Sequence, residues 1–437
     1  MSRVARVLPG SALGLAALLA FTAAAPAPQS RYPRAFATNL GVTTLIGEAD
    51  TDAPVAGVQI FVAAGLDREA PNQSGISALV AECLDRTPID GVPLRDAIAA
   101  LGGSISYTVD GRSVHYYLES NPERLPAAVA LFGRALAAPD FSSATLAASR
   151  ASLSKHVADL EDNALSVGIA MFRQSYYASG AGMPALGTTT TLAALGSADA
   201  LAFFHSTYKR SAVSASAVGK LAPDLGEKLE SLAGALPDGP LQAAVERAKV
   251  IPVAAPRIVA HRDVAAPWIV VGYAAPAPNS ADFGAMLVLE SLLAGAFDRN
   301  STTTLGFVEK SVGAFYLYDS TPASLVVYVN GTETDPSLAL REVLVVSRTL
   351  SLKPLGPDAL KRFKVAAEGQ FLTDSVNFSD RSYLLGTFAS QGLGSDSINA
   401  ALGALEKTTP ADVQRVAKKY LQRYIVALVL PRQSQSQ

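Results

Sequence analysis

Hydrophobic and polar positions along the chain follow two periods, and the changes between them mark the predicted elements. Residues 58–65 begin with an alternation of Val58, Gln59 and Ile60 and continue with apolar residues, and residues 268–275 form an unbroken apolar run rich in β-branched residues. Both segments are as expected for buried strands. An apolar stretch with helical period follows each strand, at residues 75–84 and 283–297. Each half of the chain therefore begins with a predicted buried strand that leads into a predicted core helix.

A hairpin is predicted after each of these helices. In the first half its arms are residues 104–109 and 113–120, and Asp110–Gly111 is a predicted two-residue turn in which the glycine supplies a positive φ. In the second half the arms are residues 313–320 and 324–331. Further helices and strands follow without regular alternation, which is typical of an α+β domain with helices on one face of an antiparallel-rich sheet.

The two halves of the chain repeat each other. Pairs of similar segments keep an offset of 211 or 212 residues: 56–65 with 267–276, 101–109 with 312–320, 175–182 with 387–394, and 197–208 with 409–420. A constant offset of this length predicts a duplicated domain rather than a short repeat. We place the N-terminal domain at residues 31–236, a linker at residues 237–257 and the C-terminal domain at residues 258–437.

The last helix of each domain begins with a capping signal. Ser197 is predicted to cap this helix in the first domain, and Thr409, followed by Pro410, is predicted to cap it in the second. A final strand follows in each domain, at residues 212–219 and 425–431.

Composition narrows the class of protein. With 437 residues, 49% of them hydrophobic and 17% charged, the chain can bury a large core. A formal charge of −2 and the lack of a basic run argue against nucleic-acid binding. Cys83 is the only cysteine, so no disulfide forms within the chain, and its apolar surroundings favour a buried core residue over a nucleophile.

The N-terminus resembles a secretory signal. Arg3 and Arg6 precede an uncharged, Leu- and Ala-rich run, and small residues around 23–27 would suit signal peptidase. We therefore predict a signal peptide at residues 1–27 and an exported protein, periplasmic or extracellular. Two alternatives remain: an uncleaved leader that anchors the chain, and a mitochondrial presequence, because no acidic residue precedes Glu48.

The order of these landmarks resembles the pitrilysin/insulinase metallopeptidase family. The resemblance covers nearly the whole mature chain, and residues 97–120 and the "PALGT" segment at 184–188 carry it most clearly. The family includes the mitochondrial processing peptidase, the core proteins of the cytochrome bc complex and paired bacterial secreted subunits. The resemblance implies two α+β domains that face each other like a clam shell around a peptide-sized chamber.

The catalytic positions of that family are altered in this chain. Active members carry a His-x-x-Glu-His run on the first core helix, where the histidines bind zinc and the glutamate polarises water. Aligning "GISALVAEC" on that pattern puts Ala78 and Glu82 at the histidine positions and Ala81 at the base position. A catalytic zinc needs converging nitrogen and oxygen donors, so we expect no zinc, no other cofactor and no catalytic residue here.

Other candidate groups do not complete a site in the sequence. Asp159 and Glu161 follow at about the distance of the family's third zinc ligand, but they have the pattern of helix-surface residues. The four histidines, His115, His156, His205 and His261, are not spaced for a shared metal.

A second landmark of the family is an arginine followed seven residues later by a tyrosine that contacts substrate. Here Glu309 replaces the arginine, and Tyr316 keeps the tyrosine position. Tyr316 is the one predicted substrate-binding residue, through a hydrogen bond to a bound peptide. The alternative interpretation is that Tyr316 is a strand residue packed on the sheet, with its hydroxyl pointing outward.

These observations favour a catalytically inactive family member. We expect an exported subunit that pairs with a homologous zinc-peptidase sister and encloses a peptide or protein substrate. Two alternatives are a structural subunit of a membrane complex, like the cytochrome bc core proteins, and a stand-alone peptide-binding module. A peptidase is the least favoured hypothesis, because the residues of its chemistry are missing.

Overall fold

The computed structural model describes residues 35–40, 44–177, 180–241, 257–304, 312–318, 322–330 and 336–432, with the backbone alone at 296–304. The predicted signal peptide, Glu309 and most of the predicted linker lie outside these residues. The last helix of the first half ends at Gly234, and the first strand of the second half begins at Arg257. The domain boundaries proposed from the sequence stay predictions.

The strands fall into two groups along the chain. Those of the first half are β1 (Phe36–Asn39), β2 (Thr44–Ala49), β3 (Ala56–Val62), the short β4 (Pro88–Ile89) and β5 (Val92–Pro93), β6 (Ser104–Val109), β7 (Val114–Ser120) and β8 (Val213–Gly219). Those of the second half are β9 (Arg257–Arg262), β10 (Trp268–Ala274), β11 (Val312–Leu317), β12 (Ser324–Asn330) and β13 (Tyr424–Pro431).

The described residues contain eight α-helices in the first half of the chain and six in the second. The first half contains α1 (Ile76–Arg86), α2 (Leu94–Ala100), α3 (Leu125–Ala137), α4 (Ser143–Glu161), α5 (Ala164–Tyr176), α6 (Thr189–Ala194), α7 (Ser197–Thr207) and α8 (Leu225–Gly234). The second contains α9 (Phe283–Thr304), α10 (Pro336–Leu352), α11 (Pro357–Thr373), α12 (Phe378–Ser390), α13 (Ser397–Lys407) and α14 (Pro410–Tyr420). None of these helices is long and apolar enough to cross a membrane.

Each half is built on one mixed sheet. The first has the order β1-β2-β8-β3-β7-β6 and the second the order β11-β12-β10-β13-β9. Read from β6 and from β11, five strands correspond one to one. In both sheets one pair is parallel, β2 with β8 and β9 with β13, and the other pairs are antiparallel. The α+β class is therefore confirmed, and the shared strand order supports the duplication.

Each sheet packs helices of its own half on one face. In the first half α1, α3 and α8 enclose the main core with the inward side chains of β3, β7 and β8. In the second half α9, α10 and α14 do the same over β10 and β12. The apolar stripe of each helix packs against the apolar face of the sheet. The apolar surface area that is removed from water in this way is the main contribution to the stability of the layer.

The second face of each sheet is covered by a helix from the other half. Helix α12 packs across β3 and β8 of the first sheet, and α5 packs across β10 and β13 of the second. The sequence predicted helices on one face, and this exchange of helices between the halves supplies the other layer. The halves are thereby in direct contact rather than separated by an open chamber in the described part of the chain.

A glycine and a phenylalanine meet at each of these crossings. On the first sheet, Phe61 of β3 lies against Gly386 of α12; on the second, Gly272 of β10 lies against Phe172 of α5. A Cβ on either glycine would lie 2.1 Å from a ring carbon of its phenylalanine. The two helices begin at equivalent asparagine caps, Asn163 and Asn377. The phenylalanine therefore lies on the strand in the first crossing and on the helix in the second, and the glycine takes the opposite position.

Polar contacts also join the halves. Arg381 of α12 donates from Nε and Nη2 to one carboxylate oxygen of Glu48 on β2, at 3.0 and 2.8 Å, and both side chains are buried. The hydroxyl of Ser216 donates to the carbonyl of Ser382 at 2.6 Å. A buried ion pair is costly to break from one side, because the remaining charge is left unpaired.

Three local predictions can be compared with the structure. Thr409 does cap α14, in a capping box with Asp412. The prediction for Ser197 is wrong: the cap of α7 is Gly196, and the Ser197 hydroxyl donates to the carbonyl of Phe141. The positive φ predicted for Gly111 is also wrong, since this glycine is not among the positive-φ residues, and the Asp110 carboxylate holds the turn by accepting from the backbone of Arg112 and Ser113.

Replacement of Gly386 by alanine should destabilise the protein. The added methyl group has no room beside Phe61, so we expect a loss of about 1–3 kcal/mol in the free energy of unfolding, measured in urea. Gly369→Ala is the matched control, because Gly369 lies within α11 and a Cβ there meets nothing within 4 Å. Equal stability of the two variants would contradict the packing argument.

Candidate functional site

The first core helix begins at a tight contact between the two glycine landmarks of the sequence. Gly75 precedes α1 with φ +90°, and a Cβ there would lie 2.7 Å from the Cα of Gly187 in the 184–188 segment. The buried Glu69 carboxylate accepts from the backbone N–H groups of Gly75 and Ser77, each at 3.0 Å. Burial raises the pKa of Glu69 to about 7, although these hydrogen bonds act against the rise. The start of α1 is therefore fixed by backbone contacts.

The positions of the zinc motif lie on the buried face of this helix. Ala78 and Ala81 are fully buried in the core of the first half. Their methyl groups offer no electron pair to a metal or to water. Cys83, next along the helix, is also buried, and burial raises the pKa of its thiol to about 11, which confirms it as a core residue.

Glu82 is held by a network of side chains. Its Oε1 accepts from Nε and Nη2 of Arg86 at 2.9 and 2.7 Å, and its Oε2 accepts from the Tyr107 hydroxyl at 2.7 Å. Arg95 Nη2 lies 3.7 Å from Oε1. Both carboxylate oxygens therefore have partners within the protein.

The protonation state of Glu82 follows from these contacts. Burial acts to raise its pKa, but the hydrogen bonds from Tyr107, Arg86 and Ser152 outweigh this effect and hold the pKa below its usual value. Glu82 is consequently a charged partner of arginine at neutral pH. A divalent cation bound to it would also meet the positive charges of Arg86 and Arg95.

The residues around α1 do not fit the zinc of active relatives. Asp159 is exposed and pairs with Lys155 at 2.9 Å, and Glu161 is exposed at the end of α4. Neither is among the partners of Glu82. Over the described ranges no three His, Cys, Asp or Glu side chains are grouped so that they could hold a metal. Of the positions that the resemblance assigns to the zinc motif, Glu82 alone carries a carboxylate, and its oxygens already accept hydrogen bonds from Arg86 and Tyr107.

Tyr316 lies in the core of the second half. Its hydroxyl donates to the carbonyl of Pro276, and its backbone N–H donates to the Glu290 carboxylate at 2.8 Å. Burial raises the pKa of Glu290 to about 8. A hydroxyl that already donates inside the core is not available to a bound peptide, and it does not point outward as the alternative supposed. Its substrate role stays a prediction that these contacts do not favour.

A polar cavity lies between the two halves, and sequence reasoning missed its residues. This inter-half cavity has a volume of about 410 Å³. The first half lines it with Gln59, Ser106, Tyr107, Thr108, Val109, Asp110, Gly111, His115, Tyr117 and Arg173, and α12 of the second half with Ser379, Asp380 and Tyr383.

Two buried polar groups in the inter-half cavity have unpaired atoms. Among the residues that the structure describes, Gln59 Oε1 and His115 Nε2 find no hydrogen-bond partner, although these residues are only 3% and 7% exposed. The His115 ring clusters with those of Phe61 and Tyr383, and burial lowers its pKa to about 4, so it is neutral at pH 7. Buried polar atoms are normally paired, so this cavity is suited to a hydrogen-bonding occupant.

The edge strand β6 borders this cavity. It is the last strand of the first sheet, with β7 on one side. In an antiparallel hairpin, hydrogen-bonded residue pairs alternate with pairs that are not hydrogen-bonded. Asp110 and Ser113 form a hydrogen-bonded pair, so by this alternation the backbone N–H and C=O groups of Ile105 and Tyr107 point away from β7. Ser106 and Thr108 face the cavity. An extended segment pairing with this edge would place alternate side chains over the cavity.

Comparison with known proteins places these features in a family context. Residues 44–188 match the model of insulinase, peptidase family M16. This match confirms the resemblance drawn from the sequence over the segment that contains α1, β6 and β7. No match was found among curated proteins.

Solved structures share the whole fold. A protease from Helicobacter pylori has a TM-score of 0.80 at 15% identity, covering 91% of this chain and 100% of that one. A peptidase M16 inactive domain from Pseudomonas fluorescens has a TM-score of 0.78 at 16% identity, covering 92% and 98%. A chain of Complex III2 from Candida albicans has a TM-score of 0.76 at 14% identity, covering 90% and 95%. At these identities the similarity establishes the two-domain fold.

Removing the Glu82 carboxylate should destabilise the fold rather than change any chemistry. Glu82→Ala leaves Arg86 and the Tyr107 hydroxyl without their partner, so we expect a loss of about 2–4 kcal/mol in the free energy of unfolding at pH 7. Asp159→Ala, at an exposed pair, is the control and should stay within about 0.5 kcal/mol of the wild type. Similar losses in both variants would show that the Glu82 network is not structural.

Proposed function

We propose that this insulinase-like chain is a non-catalytic, peptide-binding subunit. The observation that carries the proposal is the state of Glu82, which follows the buried Ala78 and Ala81 on α1. Its two carboxylate oxygens already accept hydrogen bonds from Arg86 and Tyr107. A hydrolytic zinc site needs three protein ligands and an open position for water. Neither zinc binding nor a general base is offered by these side chains.

Peptide binding is supported by what is retained around the altered motif. Within the described ranges no strand pairs with the outer edge of β6, and such an edge is the usual basis of recognition by strand addition. Beside it, the inter-half cavity offers Gln59 Oε1 and His115 Nε2 to a polar side chain of the peptide. The chain thus keeps a surface that binds an extended segment, without groups that would cleave it.

The complete unit in this proposal contains a second subunit. A zinc-containing sister with the His-x-x-Glu-His helix would supply the chemistry, and this chain would form the other side of a peptide-enclosing chamber. Such a pair would act after export, periplasmic or extracellular, with residues 1–27 as the signal. The similar fold of a chain of Complex III2 supports a second candidate, a structural subunit of a membrane complex. Co-purification with a peptidase or with membrane cytochromes separates the two.

The purified chain should contain no stoichiometric zinc and cleave no peptide. We expect atomic absorption to find well below one zinc per chain, and chelation to leave peptide turnover at background. Co-expression with a His-x-x-Glu-His relative from the same genome should raise hydrolysis above that of the relative alone. Chelator-sensitive cleavage by the isolated chain would contradict the proposal.

Blocking the β6 edge should weaken peptide binding. Proline at position 105 removes the outward N–H without breaking a bond to β7, so Ile105→Pro should weaken binding of fluorescein-labelled casein peptides by about tenfold or more in fluorescence anisotropy. Ile105→Ala is the matched control, because it removes the same side chain but keeps the N–H. If both variants bind equally, the edge strand is not the peptide site.

A further inference from the structure

Helix α10 presents an exposed seam on the second half. Leu338, Val345 and Leu352 follow each other at intervals of seven residues, and they are 43%, 55% and 69% exposed. Arg341 and Arg348 fall between them on the same face of the helix. Apolar residues at this spacing usually form the contact surface between two packed helices. On α10 these side chains face solvent instead.

The seam borders a long groove between α10 and α14, here called the basic groove. It has a volume of about 1100 Å³. Its residues are Arg257, Ser337, Leu340, Arg341, Leu344, Val345, Ser347, Arg348, Ser351, Leu352, Ala411, Gln414, Arg415, Lys418, Leu421, Gln422 and Tyr424. Since a helix rises 1.5 Å per residue, the 17 residues of α10 give this wall a length of about 25 Å.

The charge of the basic groove has one sign. Five of its residues are arginine or lysine, and none is aspartate or glutamate. Arg415 pairs with Asp282 and Asp412. Within the described ranges, ion pairs are absent for Arg257, Arg341, Arg348 and Lys418. This concentration of positive charge contrasts with the net charge of −2 for the whole chain.

We propose that the basic groove docks an acidic amphipathic helix of a partner protein. The apolar face of that helix would pack on Val345, Leu352 and the leucines of the groove, and its acidic residues would pair with Arg341, Arg348 and Lys418. The concave shape favours a rod-like helix over a flat lipid surface, and the spacing of the seam matches the period of a packed helix. This surface lies on α10 and α14 and is independent of the proposed peptide site at β6.

A designed probe helix tests this surface. The probe is a fluorescein-labelled peptide of about 18 residues, with leucine at helical spacing and glutamate on the flanks. We expect it to bind the full-length chain in fluorescence anisotropy, more weakly as salt is raised, because its ion pairs are solvent-exposed. The double variant Arg341→Glu and Arg348→Glu should weaken binding by about tenfold or more.

A matched pair of charge reversals provides the control. Lys361→Glu with Arg362→Glu makes the same change in charge on the exposed face of α11, and it should leave binding unchanged. Val345→Ser should weaken binding without changing its salt dependence, since it removes only apolar contact. Circular dichroism and thermal unfolding confirm that each variant is folded.

Four results would overturn the inference. The first is equal binding of a probe with lysine in place of glutamate, and the second is equal weakening of binding by the α11 control. The third is a chain that does not bind the probe but binds vesicles with about one-third phosphatidylserine, with this vesicle binding abolished in the α10 variant, which would indicate a membrane surface. The fourth is concentration-dependent dimerisation that the α10 variant prevents, which would make a second copy of this chain the occupant.

Discussion

The exchange of helices between the two halves is the constraint on which the rest of the structure depends. Each sheet has two faces to cover, and the helices of its own half cover only one of them. Helix α12 covers the open face of the first sheet, and α5 covers that of the second. Close contact is possible because a glycine faces a phenylalanine at each crossing, at Gly386 and Gly272. Neither half buries its sheet fully without the other.

This exchange also creates the inter-half cavity. Helix α12 reaches β3 and β8 but leaves a gap toward β7 and β6, and the polar side chains of Gln59 and His115 face that gap. The cavity therefore exists because the two halves meet, and β6 beside it is the end of its sheet in the part of the chain that the structure describes. Both features are compatible with holding an extended peptide.

Helix α1 is fixed in the structure by the charge of Glu82. This carboxylate pairs with Arg86, lies near Arg95 and accepts a hydrogen bond from Tyr107. Tyr107 belongs to β6, so the Glu82 carboxylate ties the core helix to the edge strand. The contact between these two elements therefore depends on a buried charge and its internal partners.

Several features were determined by the sequence alone, because they rest on local or periodic information. The order of the main strands and the cap at Thr409 follow from spacing and from side-chain chemistry. The assignment of Ala78, Ala81 and Glu82 to the positions of a zinc motif rests on the family resemblance and stays a prediction. Other features were decided by tertiary structure. The residues that meet across the inter-half cavity, Gln59 and Tyr383, are more than 300 positions apart, and Tyr316 is buried because Pro276 and Glu290 pack against it. The pattern of a chain records which face of an element is apolar, but it does not record which distant element covers that face.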